Sequence, residues 1–259
     1  MTAPTRPMRD AAGWAVLLPY GRVGLVALAT LATMGLLAAT GQPSSPASAS
    51  LFSALALLPV NVVCLIVVRA LLHREGSSLR EIVGFDRARV GRDVLWGLLW
   101  LAVLYLPFAL AVVGTMLAIY GADAFSRFEQ VFTPDEAALP QLDTSLSLLL
   151  GVLAFVTFAP LNAPTEEAVF RGYSQPRTAQ RWGVVAGILV PSAAFALQHV
   201  FFAPTAPGMV VYAVAFFVWG VGAALIFHWQ RRLMPLIVAH LLVNLATSAP
   251  ALVLPILVP

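Results

Sequence analysis

Long apolar runs alternate with short polar breaks along almost the whole of this 259-residue chain. A helix rising 1.5 Å per residue needs about 20 mostly apolar residues to cross the hydrocarbon core of a bilayer. Such runs are read near 23–40, 51–70, 94–119, 147–163, 183–204, 209–228 and 234–257. Pro250 and Pro255 interrupt the last, which predicts a kinked span or a span followed by an interfacial piece. The pattern predicts an all-α polytopic integral membrane protein with seven or eight transmembrane helices, forming a single transmembrane domain over 1–259. The first run follows Arg6, Arg9 and Arg22 without a small-residue cleavage site, so it reads as a retained span behind a cytoplasmic N-terminal segment, 1–22.

The breaks differ in character. Residues 41–50 are small and polar and read as an external loop. Over 76–93, Leu79, Ile82, Val83 and Phe85 stand among charges, which predicts a short amphipathic helix at the cytoplasmic interface. Residues 120–146 are the only break large enough for extramembrane structure, and Phe125, Phe128 and Phe132 are expected to bring part of it back to the bilayer surface. No internal repeat suggests the inverted halves of a transporter.

Composition supports the membrane reading. The chain is 60% hydrophobic and 10% charged, with a mean hydropathy of +0.87, too little charge to clothe a soluble domain of this size. All 15 basic residues are Arg, as in a GC-rich bacterial source. Arg69, Arg74, Arg80, Arg87, Arg89 and Arg92 gather in one break, Arg171, Arg177 and Arg181 in another, and Arg231 with Arg232 in a third. These are alternate breaks, so one side of the membrane collects them, and the positive-inside rule makes that side cytoplasmic. The acidic 120–146 segment then lies outside. The expected setting is a bacterial inner (plasma) membrane with the N-terminus cytoplasmic. The net charge of +3 is thus a topology signal, and nucleic acid is not an expected partner. Cys64 stands alone, which excludes an intrachain disulfide and leaves it as a small packed hydrophobe. His73 and His228 border arginines at span ends and read as solvated or interfacial.

Ionisable residues inside such a chain are costly enough to be candidate functional groups. Glu166, Glu167 and Arg171 fall together. Pro164 and Thr165 read as a helix restart, with Thr165 as the cap and both carboxylates in the first turn. Glu167 and Arg171 are four apart and share a face, a spacing suited to a neutralising ion pair, while Glu166 points about 100° away. The expected division has Glu167 and Arg171 holding the helix and Glu166 free to act on water. His199 closes one apolar run, where a packed interfacial ring is an equally good reading. His240 and Asn244, four apart, present an imidazole and an amide in one direction, although hydrogen-bonding glue between helices is the plainer explanation. Two imidazoles, a carboxylate and an amide suit one divalent ion, zinc foremost, with an open position for water. A nearby Glu could take the proton of that water as it attacks an amide carbonyl. The His-Glu-x-x-His zincin helix and the Gly-x-Ser-x-Gly elbow are both absent.

The order Glu166-Glu167 with Arg171, Phe195 with His199, and His240 with Asn244 resembles the CPBP intramembrane metalloproteases, also called the CAAX protease and bacteriocin-processing (Abi) family. The resemblance covers roughly 147–250, the expected catalytic core. It implies that Glu166 activates the nucleophilic water, that His199, His240 and Asn244 position the metal or the oxyanion, and that Glu167 with Arg171 supports them. A metal site would comprise Glu166, His199, His240 and Asn244. The implied partners are a membrane-associated protein or peptide, cleaved as substrate near the cytoplasmic face, and the lipid bilayer; the sequence leaves oligomeric state open. The rival readings are a non-catalytic immunity or scaffold protein of the same fold and a solute transporter.

Depth presents a conflict. His199 lies about 24 Å into its run and His240 only about 9 Å into its own at 1.5 Å per residue. A shared site needs a helix that begins beyond the membrane surface, a strong tilt or a shifted span boundary; the expected resolution is that 166–182 projects into the cytoplasm and carries 183–190 with it. Sidedness is testable by cysteine labelling in a Cys64→Ser background. A membrane-impermeant maleimide is expected to label Ser126→Cys in intact cells and Ser77→Cys only after the membrane is opened. The reverse pattern would invert the orientation.

Overall fold

The structure is a computed structural model that describes residues 11–135 and 139–257. Residues 1–10 of the expected N-terminal segment, Glu136 of the acidic loop and 258–259 lie outside the described residues. In chain order the elements are α1 (Ala11–Ala39), α2 (Pro46–Ser50), α3 (Ser53–Arg74), α4 (Leu79–Val83), α5 (Val90–Tyr120), α6 (Phe128–Phe132) and α7 (Thr144–Glu167). A π-helical segment, Ala168–Ser174, leads into α8 (Gln175–Trp182), then α9 (Val184–His199), α10 (Ala206–Gln230), α11 (Met234–Ser248) and α12 (Pro250–Leu257). Among the described residues there is no strand, and seven helical stretches are long and apolar enough to cross a membrane. The chain is an all-α polytopic membrane protein. Its outer surface agrees: Leu28, Leu31, Leu106 and Leu110 are each more than 60% exposed, a face that lipid accepts and water does not.

Several boundaries depart from the sequence reading. The first span begins at Ala11 and not at 23, so Arg22 is inside a helix and not in a cytoplasmic segment ahead of it. The run Trp14–Tyr20 is apolar enough to be helix, and Arg22 is tolerated because it turns inward to polar partners. The 41–50 loop contains α2, because Ser45 accepts from the Ser48 N–H and Pro46 sits at the first helical positions. Over 76–93 the expected short helix is α4, where Ser78 and Glu81 close a reciprocal capping box and left-handed Gly84 ends the turn. The interrupted last run is α11 followed by α12. No restart occurs at Pro164: α7 runs on through Pro160 and Pro164, and the Thr165 hydroxyl donates to the Leu161 carbonyl at 2.6 Å instead of capping. The two glutamates therefore end a helix.

Helix contacts place α7 between α3 and α11, while α10 packs on both α9 and α5, and α5 also packs on α11. Leu57, Val60, Val68, Leu104, Phe170, Phe195, Trp219 and Leu236 meet in the common core. Two ion pairs tie the ends. Arg177 on α8 grips both carboxylate oxygens of Glu75 at the end of α3, with Tyr173 Oη donating to the same Glu75 at 3.1 Å. Arg232, between α10 and α11, donates to both oxygens of Asp93 on α5 at 2.9 and 2.6 Å.

The element that decides the site is the hairpin of α8 and α9. It turns at Gly183, whose φ of +88° lies in the region that favours glycine. His199 stands as far along the chain after Gly183 as Glu167 stands before it, so α9 returns His199 to the level of the glutamates. Leu233, just before α11, packs beside Gly172, well ahead of Gly183 along the chain, so the helices of His240 and His199 start from turns at different levels. Gly187 allows the close approach, because a Cβ there would lie 2.6 Å from the Ala179 Cβ. Gly187→Val is expected to cost about 1–3 kcal/mol by forcing the hairpin apart. A lowered unfolding temperature in detergent, against no lowering for Gly114→Ala on an open face, is the measurement.

Candidate active site

Glu166 and Glu167 end α7 in a continuous helix that passes directly into the π-helical segment. The wider turn there carries Arg171 away from the α-helical track while keeping it one turn below Glu167. Both carboxylates are 1% exposed and Arg171 is 2% exposed. Charges buried this deeply require partners, because desolvation costs several kcal/mol per ion.

Each glutamate has its own set. Arg171 Nη1 donates to Glu167 Oε1 at 3.2 Å, and its Nη2 reaches the Gly220 carbonyl on α10 at 3.3 Å. The guanidinium also lies over the Phe195 ring, 4.6 Å from its centroid. The expected Glu167–Arg171 pair is present. Glu166, in contrast with the expectation, is not free: Arg22 Nη2 donates to its Oε1 at 2.9 Å. Its other oxygen, Oε2, is buried with no hydrogen-bond partner. The two glutamates point to different helices because neighbouring helical positions differ by about 100°.

His240 links the two sets. Its Nδ1 is 3.0 Å from Glu167 Oε1, the oxygen that also accepts from Arg171, so Nδ1 carries the proton. Its Nε2 stands 3.7 Å from Glu166 Oε2, which has no hydrogen bond. His199 is arranged alike: its Nδ1 lies 2.7 Å from the Phe195 carbonyl, which only accepts, and this leaves Nε2 bare. The His199 ring stacks on Phe216 at 3.6 Å between centroids. Phe195 separates the two imidazoles, 4.5 Å from His199 and 6.1 Å from His240. Asn244, one turn after His240, is buried, and its Nδ2 has no partner. The six residues singled out from the sequence thus lie on four adjoining elements around one buried polar region.

In kind these donors fit a divalent ion. Each Nδ1 is held by a carbonyl or a carboxylate, which turns Nε2 toward the centre, the usual orientation of ligating histidines. Glu166 Oε2 and His240 Nε2 stand near the separation of two ligands on one ion. As placed, however, no group of three or more His, Cys, Asp or Glu among the described residues is close enough to hold a metal. His199 does not complete the pair.

Three polar residues escaped the sequence reading: Arg22, Asn162 and Gln198. Arg22 Nε donates to Gln198 Oε1 at 2.8 Å, and its Nη2 donates to Asn162 Oδ1 at 3.0 Å as well as to Glu166. Two signals were available. Asn162 is four before Glu166 and so shares its face, and Arg22 is a lone cation with apolar residues on both sides. His73 and Trp229 are exposed at helix ends, whereas Trp219 is buried in the core.

The fold and the site define a polytopic membrane protein with a diglutamate centre held by arginines and histidines inside its bundle. Residues 146–246 match the family described as Type II CAAX prenyl endopeptidase Rce1-like. That segment contains all six residues expected from the sequence and excludes Arg22, and the match is consistent with a CAAX/CPBP-type protease superfamily. No curated protein and no solved structure matches the chain.

Breaking the inner ion pair has a definite expectation. Arg171→Met leaves Glu167 a buried charge with His240 alone, at a cost of about 3 kcal/mol. Glu167→Gln in the same background is expected to restore part of the loss. Thermal unfolding of the three variants in detergent measures both effects.

Proposed function

We propose that this protein is an intramembrane endopeptidase that hydrolyses a peptide bond in a membrane-associated protein or peptide. The observation that carries the reading is the buried Glu166 Oε2, without a hydrogen bond and 3.7 Å from Nε2 of His240. A carboxylate oxygen without a hydrogen bond, inside a bundle, is an expensive feature that a water molecule or a substrate would relieve.

In the proposed reaction Glu166 Oε2 accepts a proton from water as the water oxygen bonds to the scissile carbonyl carbon. The unpartnered Asn244 Nδ2 donates to the carbonyl oxygen as negative charge develops there. Collapse of the tetrahedral species breaks the C–N bond, and Glu166 returns its proton to the leaving amine. His240, fixed by Glu167, and His199, fixed by the Phe195 carbonyl, orient the water and the substrate. When bound, a divalent ion would polarise the carbonyl and acidify the water; Glu166, His199, His240 and Asn244 are the residues that would hold it, and zinc suits their nitrogen and oxygen donors. Glu167 and Arg171 support the centre without touching the reacting atoms. The catalytic core is assigned to 147–250 within one transmembrane domain, in a bacterial inner membrane with the N-terminus cytoplasmic. The matched family's description names a prenyl CAAX endopeptidase, so a C-terminally lipidated peptide is one substrate class to test.

A non-catalytic immunity or scaffold role on the same fold would tolerate loss of the carboxylate. The two readings separate in Glu166→Gln. Terminal-peptide comparison of membranes carrying wild-type or Glu166→Gln protein is expected to show new termini in the wild type only, with a fall in cleavage of at least about 100-fold. Identical termini in both would overturn the catalytic reading.

A further inference from the structure

Arg22 joins the centre from a part of the chain outside the matched segment. It is 1% exposed in the first span, on α1. Through Nη2 it holds both Asn162 and Glu166, one turn apart on α7. Through Nε it holds Gln198, the residue before His199 on α9. One planar group therefore bridges the helix that ends in the glutamates and the helix that ends in His199. Guanidinium suits this role because its donors are fixed in a rigid fork, whereas an ammonium is a point charge on a flexible stem.

We infer that Arg22 is a positioning residue of the reaction centre: it occupies Glu166 Oε1, which leaves Oε2 to face His240, and it sets the spacing of α7 and α9. The inference rests on the reading of Glu166 as the base. A cation that only balanced the carboxylate's charge would need one hydrogen bond and no particular shape. Arg22 instead spends two of its nitrogens on three acceptors from two helices. Its Nη1 is buried and unpartnered, the cost of placing the fork there. The acceptors themselves are neutral apart from Glu166, so charge alone does not account for Asn162 and Gln198.

The test separates shape from charge. The probe is a quenched fluorescent peptide spanning a terminus that wild-type membranes gain. Arg22→Lys keeps the charge and is expected to lower kcat about 100-fold, the scale of a small misplacement of a catalytic group. KM is expected to stay within about threefold, because the group lost acts on the base and not on substrate binding. In Arg22→Ala, added guanidinium at sub-denaturing concentration is expected to restore part of kcat. Unfolding in detergent provides a readout without substrate: Arg22→Met/Glu166→Gln is expected to unfold at a higher temperature than Arg22→Met, since the second change removes the charge that the first leaves unpaired. Wild-type kcat in Arg22→Lys, or a double variant no more stable than Arg22→Met, overturns the inference. If Glu166→Gln abolishes cleavage while Arg22→Lys and Arg22→Ala cleave normally, the base assignment stands and the Arg22 role fails. If Glu166→Gln cleaves normally, the base assignment itself fails.

Discussion

Two carboxylates buried side by side at the end of one helix are the constraint around which the other helices are arranged. Neither could remain charged there alone, because desolvation would outweigh every packing gain nearby. Arg171 answers Glu167 from the next turn, and Arg22 answers Glu166 from a distant helix. Between the two pairs, His240 stands with one nitrogen on Glu167 and the other toward Glu166. Four elements are thereby drawn to one point. The packing of α7 against α11, of α1 against α9 and of α9 against α10 is the geometry that makes these pairings reachable.

The pairings also divide the labour between the glutamates, on grounds other than those the sequence suggests. Spacing alone makes Glu167 the paired residue and Glu166 the free one. In the structure both are paired, and the difference lies in what each oxygen faces. Glu167 Oε1 accepts from Arg171 and His240 together, which spends it on orienting the imidazole. Glu166 has one oxygen on Arg22 and one turned toward the His240 ring without a hydrogen bond. Glu166 is therefore held in place as well as available, a combination that suits a proton acceptor better than a freely rotating carboxylate would.

Much of this was legible before any coordinates. Apolar runs define the helices because lipid demands about 20 apolar residues per crossing, and the six polar residues stood out because that demand makes exceptions visible. The i, i+4 pairing of Glu167 with Arg171 followed from helical spacing. Helix boundaries near polar residues were harder. Pro164 and Thr165 suggest a helix start, yet the hydroxyl bonds backward to Leu161 and α7 continues, a choice made by tertiary packing and not by local propensity. By sequence Arg22 reads as a flank, because cations gather at membrane edges. Its acceptors are far along the chain, and no local pattern reveals them. Likewise the conflict of depth between His199 and His240 dissolves only when the hairpin about Gly183 is known to extend past the other turn.

The protonation of the two histidines tests the convergence most directly, since it depends on the partners assigned to each ring. Nitrogen-15 solid-state NMR of the protein in lipid bilayers, with histidine labelled and each ring assigned by substitution, reads it without knowledge of the substrate. If Phe195 and Glu167 hold the two Nδ1–H groups, His199 and His240 both carry a proton on Nδ1. A neutral ring protonated at Nε2 in either residue would contradict the centre, because Nδ1 would then turn a lone pair on the carbonyl or carboxylate assigned to hold it.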